Sequence, residues 1–228
     1  MREIVVDTET TGLDPADGHR IIEIGCVELF DHVPTGLNFQ RYLNPERLIP
    51  VEAQRVHGLT DEFLAGKPLF SAIVDELLAF FGDAPIIMHN ASFDIKFINA
   101  ELMRMTRREI PVSRTIDTIE IAKARLPGAR YSLDELCRRF GIDLSGRARH
   151  GALVDAELTA RVYLELVGGR QTRLRLAPRD AGTGARDERV AARQRPEILP
   201  SRISAAEAAA HAAFVSAELG ADAIWNWH

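Results

Sequence analysis

Glu3-Ile4-Val5-Val6-Asp7 is a short, β-branched apolar run, the pattern of a central strand buried on both faces. Turn chemistry follows at once in Thr10-Thr11-Gly12-Leu13-Asp14-Pro15. Two more strand-like runs occupy 21–30 and 37–43, separated by Pro34 and Gly36, and predict an antiparallel meander. Near Leu69 the period changes. Phe70, Ile73, Val74, Leu77, Leu78 and Phe81 keep the i, i+3, i+4 spacing of an amphipathic helix. Pro85-Ile86-Ile87-Met88 is a further short buried strand, and helical patterns occupy about 92–105, 117–126, 132–140 and 152–167. Strands first and strand–helix alternation afterwards predict an α/β domain whose mixed sheet is flanked by helices.

Gly168-Gly169 closes the last of these helices, and the composition then shifts. Residues 177–200 are rich in Arg, Ala, Gly and Pro with few large apolar side chains, the signature of a flexible linker. Order is expected to return near Ile203, where Ser204-Ala205-Ala206-Glu207 has capping-box spacing. The plan is a domain over 1–169, a linker over 170–200 and a short helical tail over 201–228.

The chain of 228 residues is 46% hydrophobic and 27% charged, the balance of a soluble globular protein. No apolar run approaches the roughly 20 residues a membrane helix needs, and the immediate entry into a strand leaves no room for a signal peptide. The only cysteines, Cys26 and Cys137, read as small core residues, so a cytoplasmic setting is expected. Residues 1–167 hold 19 basic against 26 acidic side chains, whereas residues 168–195 hold 8 Arg against 3 acids. An acidic domain cannot grip a long duplex through its phosphates. It can hold a few nucleotides at a strand end if metal ions supply positive charge.

Asp7 and Glu9 lie two apart at the end of the first strand and leave it on the same face. Asp94, in His89-Asn90-Ala91-Ser92-Phe93-Asp94, and Asp155, after His150-Gly151-Ala152-Leu153-Val154, each fall in the first turn of a predicted helix. Each of the latter two alone is explained by the helix dipole. Together, four crowded carboxylates would repel and raise one another's pKa unless cations neutralise them. Mg²⁺ or Mn²⁺ suits oxygen ligands, and two such ions roughly 3.5–4 Å apart clamp the attacking and leaving oxygens of a phosphoryl displacement. His150, five residues before Asp155, suits a general base toward the attacking water, since imidazole ordinarily titrates at about 6.5.

Asp-x-Glu on the first strand, a mid-chain Asp after Asn-x-Ser-Phe, and His-x4-Asp before the last helix resemble the DEDD exonuclease superfamily. The histidine selects its DEDDh branch, because the position where the other branch carries Tyr is Gly151. Asp7-Thr8-Glu9-Thr10-Thr11-Gly12, Val56 through Leu64, His89 through Asp94 and His150 through Ala156 resemble, through about residue 169, the epsilon-type (DnaQ-like) proofreading exonucleases of bacterial DNA polymerase III. That resemblance implies a ribonuclease H-like fold and 3′→5′ hydrolysis of the single-stranded 3′ end of DNA with two divalent ions. It implies Asp7, Glu9, Asp94 and Asp155 as metal ligands. It also implies Glu52 and His57 as contacts of the terminal nucleotide, together with Asp7, Glu9 and Asp155.

Gln171-Thr172-Arg173-Leu174-Arg175-Leu176 resembles the Gln-x-x-Leu-x-Leu peptide by which bacterial replication proteins dock on the β sliding clamp. Leu174 and Leu176 would fill an apolar pocket while Gln171 makes polar contacts. In the tail, Phe214, Trp225 and Trp227 are interface-type anchors on a segment too small to build its own core. The family resemblance implies that the tail binds the polymerase alpha subunit. An RNA-trimming DEDDh enzyme would share the site but needs neither the peptide nor the tail. A non-catalytic adaptor would not keep all five catalytic positions filled. No P-loop, zinc-ligand spacing or nucleophile elbow competes.

Overall fold

The computed structural model describes residues 1–145, 150–168 and 203–218. The opening strand β1 (Arg2–Thr10) pairs antiparallel with β2 (Ile21–Phe30), and β2 pairs antiparallel with β3 (Val33–Tyr42). The meander therefore forms, but its turn lies earlier than Pro34 and Gly36 suggest. Asp31 and His32 make it, both with positive φ (49° and 69°), as a two-residue hairpin demands. Pro34 is accommodated because β3 is an edge strand, where a missing N–H costs no ladder bond on the solvent side.

Two short helices follow, α1 (Val51–His57) and α2 (Asp61–Leu64), then α3 (Phe70–Phe81) as expected. β4 (Ile86–Met88) runs parallel to β1, and a three-residue strand, β5 (Thr115–Asp117), runs parallel to β4. Between them lies α4 (Ala91–Arg104), and after β5 come α5 (Thr118–Arg125), α6 (Leu133–Phe140) and α7 (Ala152–Val167). The sheet order is β3-β2-β1-β4-β5.

Strand alternation sorts the core onto the two faces of β1. Ile4 and Val6 pack against Val74 and Leu77 of α3 and Phe97 and Ile98 of α4. Val5 packs on the other face with Ala156, Ala160 and Tyr163 of α7. The buried Glu3 shares this second face. Its Oε1 accepts from the Tyr163 hydroxyl at 2.8 Å, and its Oε2 accepts the His32 backbone N–H at 3.2 Å with His32 Nδ1 at 2.8 Å. A fully buried carboxylate is tolerated when so many donors meet it. On the α4 side, Glu101 takes a bidentate pair from Arg20 at 2.6 and 2.9 Å, tying the start of β2 to the helix. Cys26 and Cys137 are both buried.

A separate unit contains α8 (Ala205–Glu218). The capping box is present: Ser204 Oγ accepts from the Glu207 N–H, and the Glu207 carboxylate accepts from the Ser204 N–H and hydroxyl. Phe214 on this helix is 61% exposed. Gln171, Leu174, Leu176, Trp225 and Trp227, with the whole of the 170–200 linker and both ends of the 201–228 tail, lie outside the described residues.

Candidate active site

β1, β4 and β5 run parallel, so their C-terminal ends open on one edge, where ligands of open α/β sheets bind. Three chain-distant segments meet there. The end of β1 supplies Asp7 and Glu9 on the face that carries Val5 toward α7. The start of α7 supplies Asp155, buried, with His150 one residue before the helix cap Gly151. Glu9, His150 and Asp155 offer ligand atoms that all lie within 4.8 Å of one another.

His150 Nδ1 lies 3.0 Å from Asp155 Oδ2. A carboxylate only accepts, so Nδ1 holds the proton in this pair and Nε2 keeps its lone pair. The ring is about half exposed, whereas Asp155 is almost wholly covered, so the acid orients a base that remains open to solvent.

Asp94 arrives from the opposite face of β1, in the first turn of α4. Its Oδ1 accepts both the backbone N–H of Thr8 at 3.0 Å and the Thr8 hydroxyl at 2.6 Å. Thr8 stands between Asp7 and Glu9, so Asp94 is fastened to the strand that carries them. Burial pushes the Asp94 carboxyl up to about 7, against the pull of the Thr8 bonds, with Asp117 adding a like charge nearby. Asp7 is half-buried, opposite Gly25 in the β1–β2 register. Neither Asp7 nor Asp94 falls within the 4.8 Å grouping itself. The donor set is carboxylate oxygen plus one imidazole, with a buried acid held near neutrality. That chemistry fits hard divalent cations, which prefer oxygen and would favour the charged form of Asp94.

A cavity of about 560 Å³ adjoins Glu9 and is walled on one side by Glu52, Val56 and His57 of α1 and on another by Phe93. Glu52 is exposed in the first turn of α1. His57 is 5% exposed. Its Nδ1 accepts the N–H of Leu59 at 3.0 Å, so the ring does cap the turn at Gly58. Its Nε2 is buried with no hydrogen-bond partner. Burial lowers the His57 pKa, which leaves a neutral ring whose Nε2 carries the proton.

Three contributors were not singled out from the sequence. Thr8 holds Asp94. Asp117 accepts the N–H groups of Asn90 and Ala91 at 3.1 Å and so fastens the start of α4 to β5. Gly25 lets α7 sit directly on β2: a Cβ there would lie 2.2 Å from Leu153 N and 2.3 Å from the Ala152 carbonyl carbon. A glycine inside a strand run is the available signal for such close approach.

Comparison with known proteins agrees with this geometry. The exonuclease family model (RNase T) matches residues 4–163. DNA polymerase III subunit epsilon of Rickettsia conorii is 53% identical over 184 residues, spanning 79% of this chain and 80% of the relative. The same subunit of Escherichia coli is 46% identical over 176 residues, spanning 74% and 72%. Among solved structures, the nuclease domain of 3′hExo, a DEDDh family member bound to rAMP, superposes with a TM-score of 0.64 at 20% identity over 74% of this chain and 92% of that one. Exonuclease X in complex with 5′ overhanging duplex DNA gives 0.57 at 24% identity over 73% and 91%. The fold is that of the ribonuclease H-like exonucleases.

Proposed function

The chain belongs to the exonuclease family, among the DNA polymerase III epsilon subunits, and from that premise we propose that it removes mispaired 3′-terminal deoxynucleotides for a replicative polymerase. The observation that carries this reading is the convergence of Glu9, His150 and Asp155 within 4.8 Å, with Glu9 also lining a cavity that Glu52 and His57 share. Glu9 is the residue common to that grouping and the cavity.

Asp7, Glu9, Asp94 and Asp155 would hold a pair of divalent ions, Mg²⁺ or Mn²⁺, whose charge offsets that of the scissile phosphate and of the acids themselves. His150 takes the proton of the attacking water at Nε2, and Asp155 steadies the imidazolium through Nδ1. The neutral His57 donates its Nε2–H to the terminal nucleotide, and Glu52 offers an acceptor on the same wall.

The partners are the polymerase alpha subunit, reached through residues 201–228 with Phe214, Trp225 and Trp227 as anchors, and the sliding clamp, reached through Gln171, Leu174 and Leu176. Residues 1–169 are then the catalytic domain, and 170–200 the connection that carries the clamp peptide. Among the described residues no helix is long and apolar enough to cross a membrane.

The test is hydrolysis of a mispaired primer by the full chain, with and without Mg²⁺. Asp155→Ala is expected to abolish turnover in a protein that still folds, and His150→Ala to slow it roughly 10²–10⁴-fold. Substantial hydrolysis by folded Asp155→Ala at saturating Mg²⁺ would overturn the assignment of the site.

A further inference from the structure

The segment after β1 also lines the cavity, and it carries a second imidazole. His19 lines the same cavity as Glu9, Glu52 and His57, and its ring is fixed from two sides. Its Nδ1 lies 3.1 Å from Thr11 Oγ1. That oxygen already accepts the backbone N–H of Arg20 at 3.0 Å, so the threonine proton is free to be donated to Nδ1. Nε2 then carries the ring's own proton. The ring lies against Gly12, where an added Cβ would fall 2.3–2.4 Å from Cε1, Nδ1 and Nε2. Thr11 is fully buried, and Arg20 is clamped to Glu101, so the seat is rigid. Thr11 is the only hydrogen-bonding partner of His19 among the described residues.

We propose that His19 is a further contact of the 3′-terminal nucleotide, donating its Nε2–H to the base rather than to the phosphate. This rests on the reading of the cavity as the site of that nucleotide. The preference for the base follows from position. His19 lines the cavity beyond the end of β1 and falls outside the 4.8 Å grouping of Glu9, His150 and Asp155, so it stands apart from the groups assigned to the scissile phosphate. Every DNA base carries ring-nitrogen or carbonyl acceptors. One donor on a fixed ring can therefore engage any base without selecting among them, as removal of whichever nucleotide is mispaired requires. His57 and His19 would both contact the nucleotide in this cavity.

The experiment compares the full-length parent with His19→Ala and His19→Gln on two single strands, one ending in an ordinary nucleotide and one ending in a 3′-terminal abasic residue. On the ordinary strand, His19→Ala is expected to raise KM about 5–10-fold, the scale of one lost hydrogen bond, with kcat within about twofold. His19→Gln, which keeps an N–H donor, recovers part of that loss. On the abasic strand the difference between parent and His19→Ala disappears. An unchanged KM on the ordinary strand overturns the proposal. An equal rise on both strands also overturns it, because His19 would then act on the backbone or on the fold. If the parent hydrolyses neither strand, the nucleotide reading of the cavity fails, and the proposal falls with it. That outcome is distinct from the other two.

Discussion

Replacing Gly25 with alanine should slow hydrolysis about 100-fold in a protein that remains folded. Gly25 stands opposite Asp7 in the β1–β2 register, and the backbone of Ala152–Leu153, at the start of α7, rests on it. The added methyl carbon would lie 2.2 Å from Leu153 N, whereas ordinary contact begins near 3.4 Å. The two backbones must therefore part by about 1.2 Å. Neither partner can yield by rotating a side chain, because every near neighbour is backbone. β2 is held by ladders on both sides, so the start of α7 is what gives way. That start carries His150 and Asp155, whose position relative to Glu9 defines the 4.8 Å grouping. A displacement of about 1 Å between reacting groups can cost roughly 10² in rate. Overpacking itself should cost only about 1–3 kcal/mol of stability. Single-turnover hydrolysis of an end-labelled single strand at saturating Mg²⁺ measures the first effect, and thermal melting the second. Gly66→Ala is the control, because a Cβ there meets nothing within 4 Å. A rate for Gly25→Ala within about threefold of the parent would refute the claim that this contact sets the site.

Asp94 makes stability depend on pH in a defined direction. Its folded pKa of about 7 exceeds the ordinary value of 3.8, so its favourable contribution is present below about 4 and lost as pH rises through 7. Metal-free Asp94→Asn should thus melt above the parent at pH 8, with the gap closing toward pH 5; a gap independent of pH would contradict the burial argument. Glu101→Gln should destabilise the domain by about 1–3 kcal/mol, since it leaves the largely covered Arg20 with only the more distant Glu46, at 3.7 Å, as anionic partner; a change below about 0.5 kcal/mol in urea unfolding would show that Glu46 and water replace the partner. Changing Gln171, Leu174 and Leu176 to alanine should abolish clamp binding, and deleting residues 201–228 should abolish polymerase binding. Both should leave hydrolysis of short single strands intact, and titration and co-elution are the respective checks.

The parts of this molecule legible from residues alone are those where chemistry or periodicity is dense. The apolar run at Ile4–Val6 and the 3.6-residue period through Phe70–Phe81 mark buried elements, because burial imposes those spacings. Asp7, Glu9, Asp94, Asp155 and His150 stand out as a set, because few other purposes gather such groups at strand and helix tips. What escaped has little periodicity to show. α1 has seven residues and buries only His57, so no apolar stripe announces it. β5 has three residues, all partly exposed, and exists because β4 offers it an edge. The Asp31–His32 turn lacks the usual Asn-Gly signal, and His32 is held in its left-handed conformation by bonds to the distant Glu3. Gly25 matters through its contact with Ala152 and Leu153, far away in sequence, which no local window contains.

The folding problem and the catalytic problem share one solution in this domain. Asp94 and Asp155 both sit in the first turn of a helix, where the backbone dipole favours negative charge, yet both are almost completely covered, which disfavours it. For Asp94 burial outweighs dipole and hydrogen bonds together, since its carboxyl is held near 7. An acid in that condition is a poor salt-bridge partner for a flexible lysine but a good ligand for a small dication, whose charge exceeds what the dipole supplies. The same acidity that makes the domain a weak general binder of nucleic acid therefore gives it, once cations are present, a localised attraction for phosphate at one edge of the sheet. On the proposed function, a paired terminus offers that edge no unpaired strand, whereas a frayed 3′ terminus would enter the cavity lined by α1 and the end of β1. Selectivity for the mispaired end would then follow from access, with no need for the site to read which base is wrong.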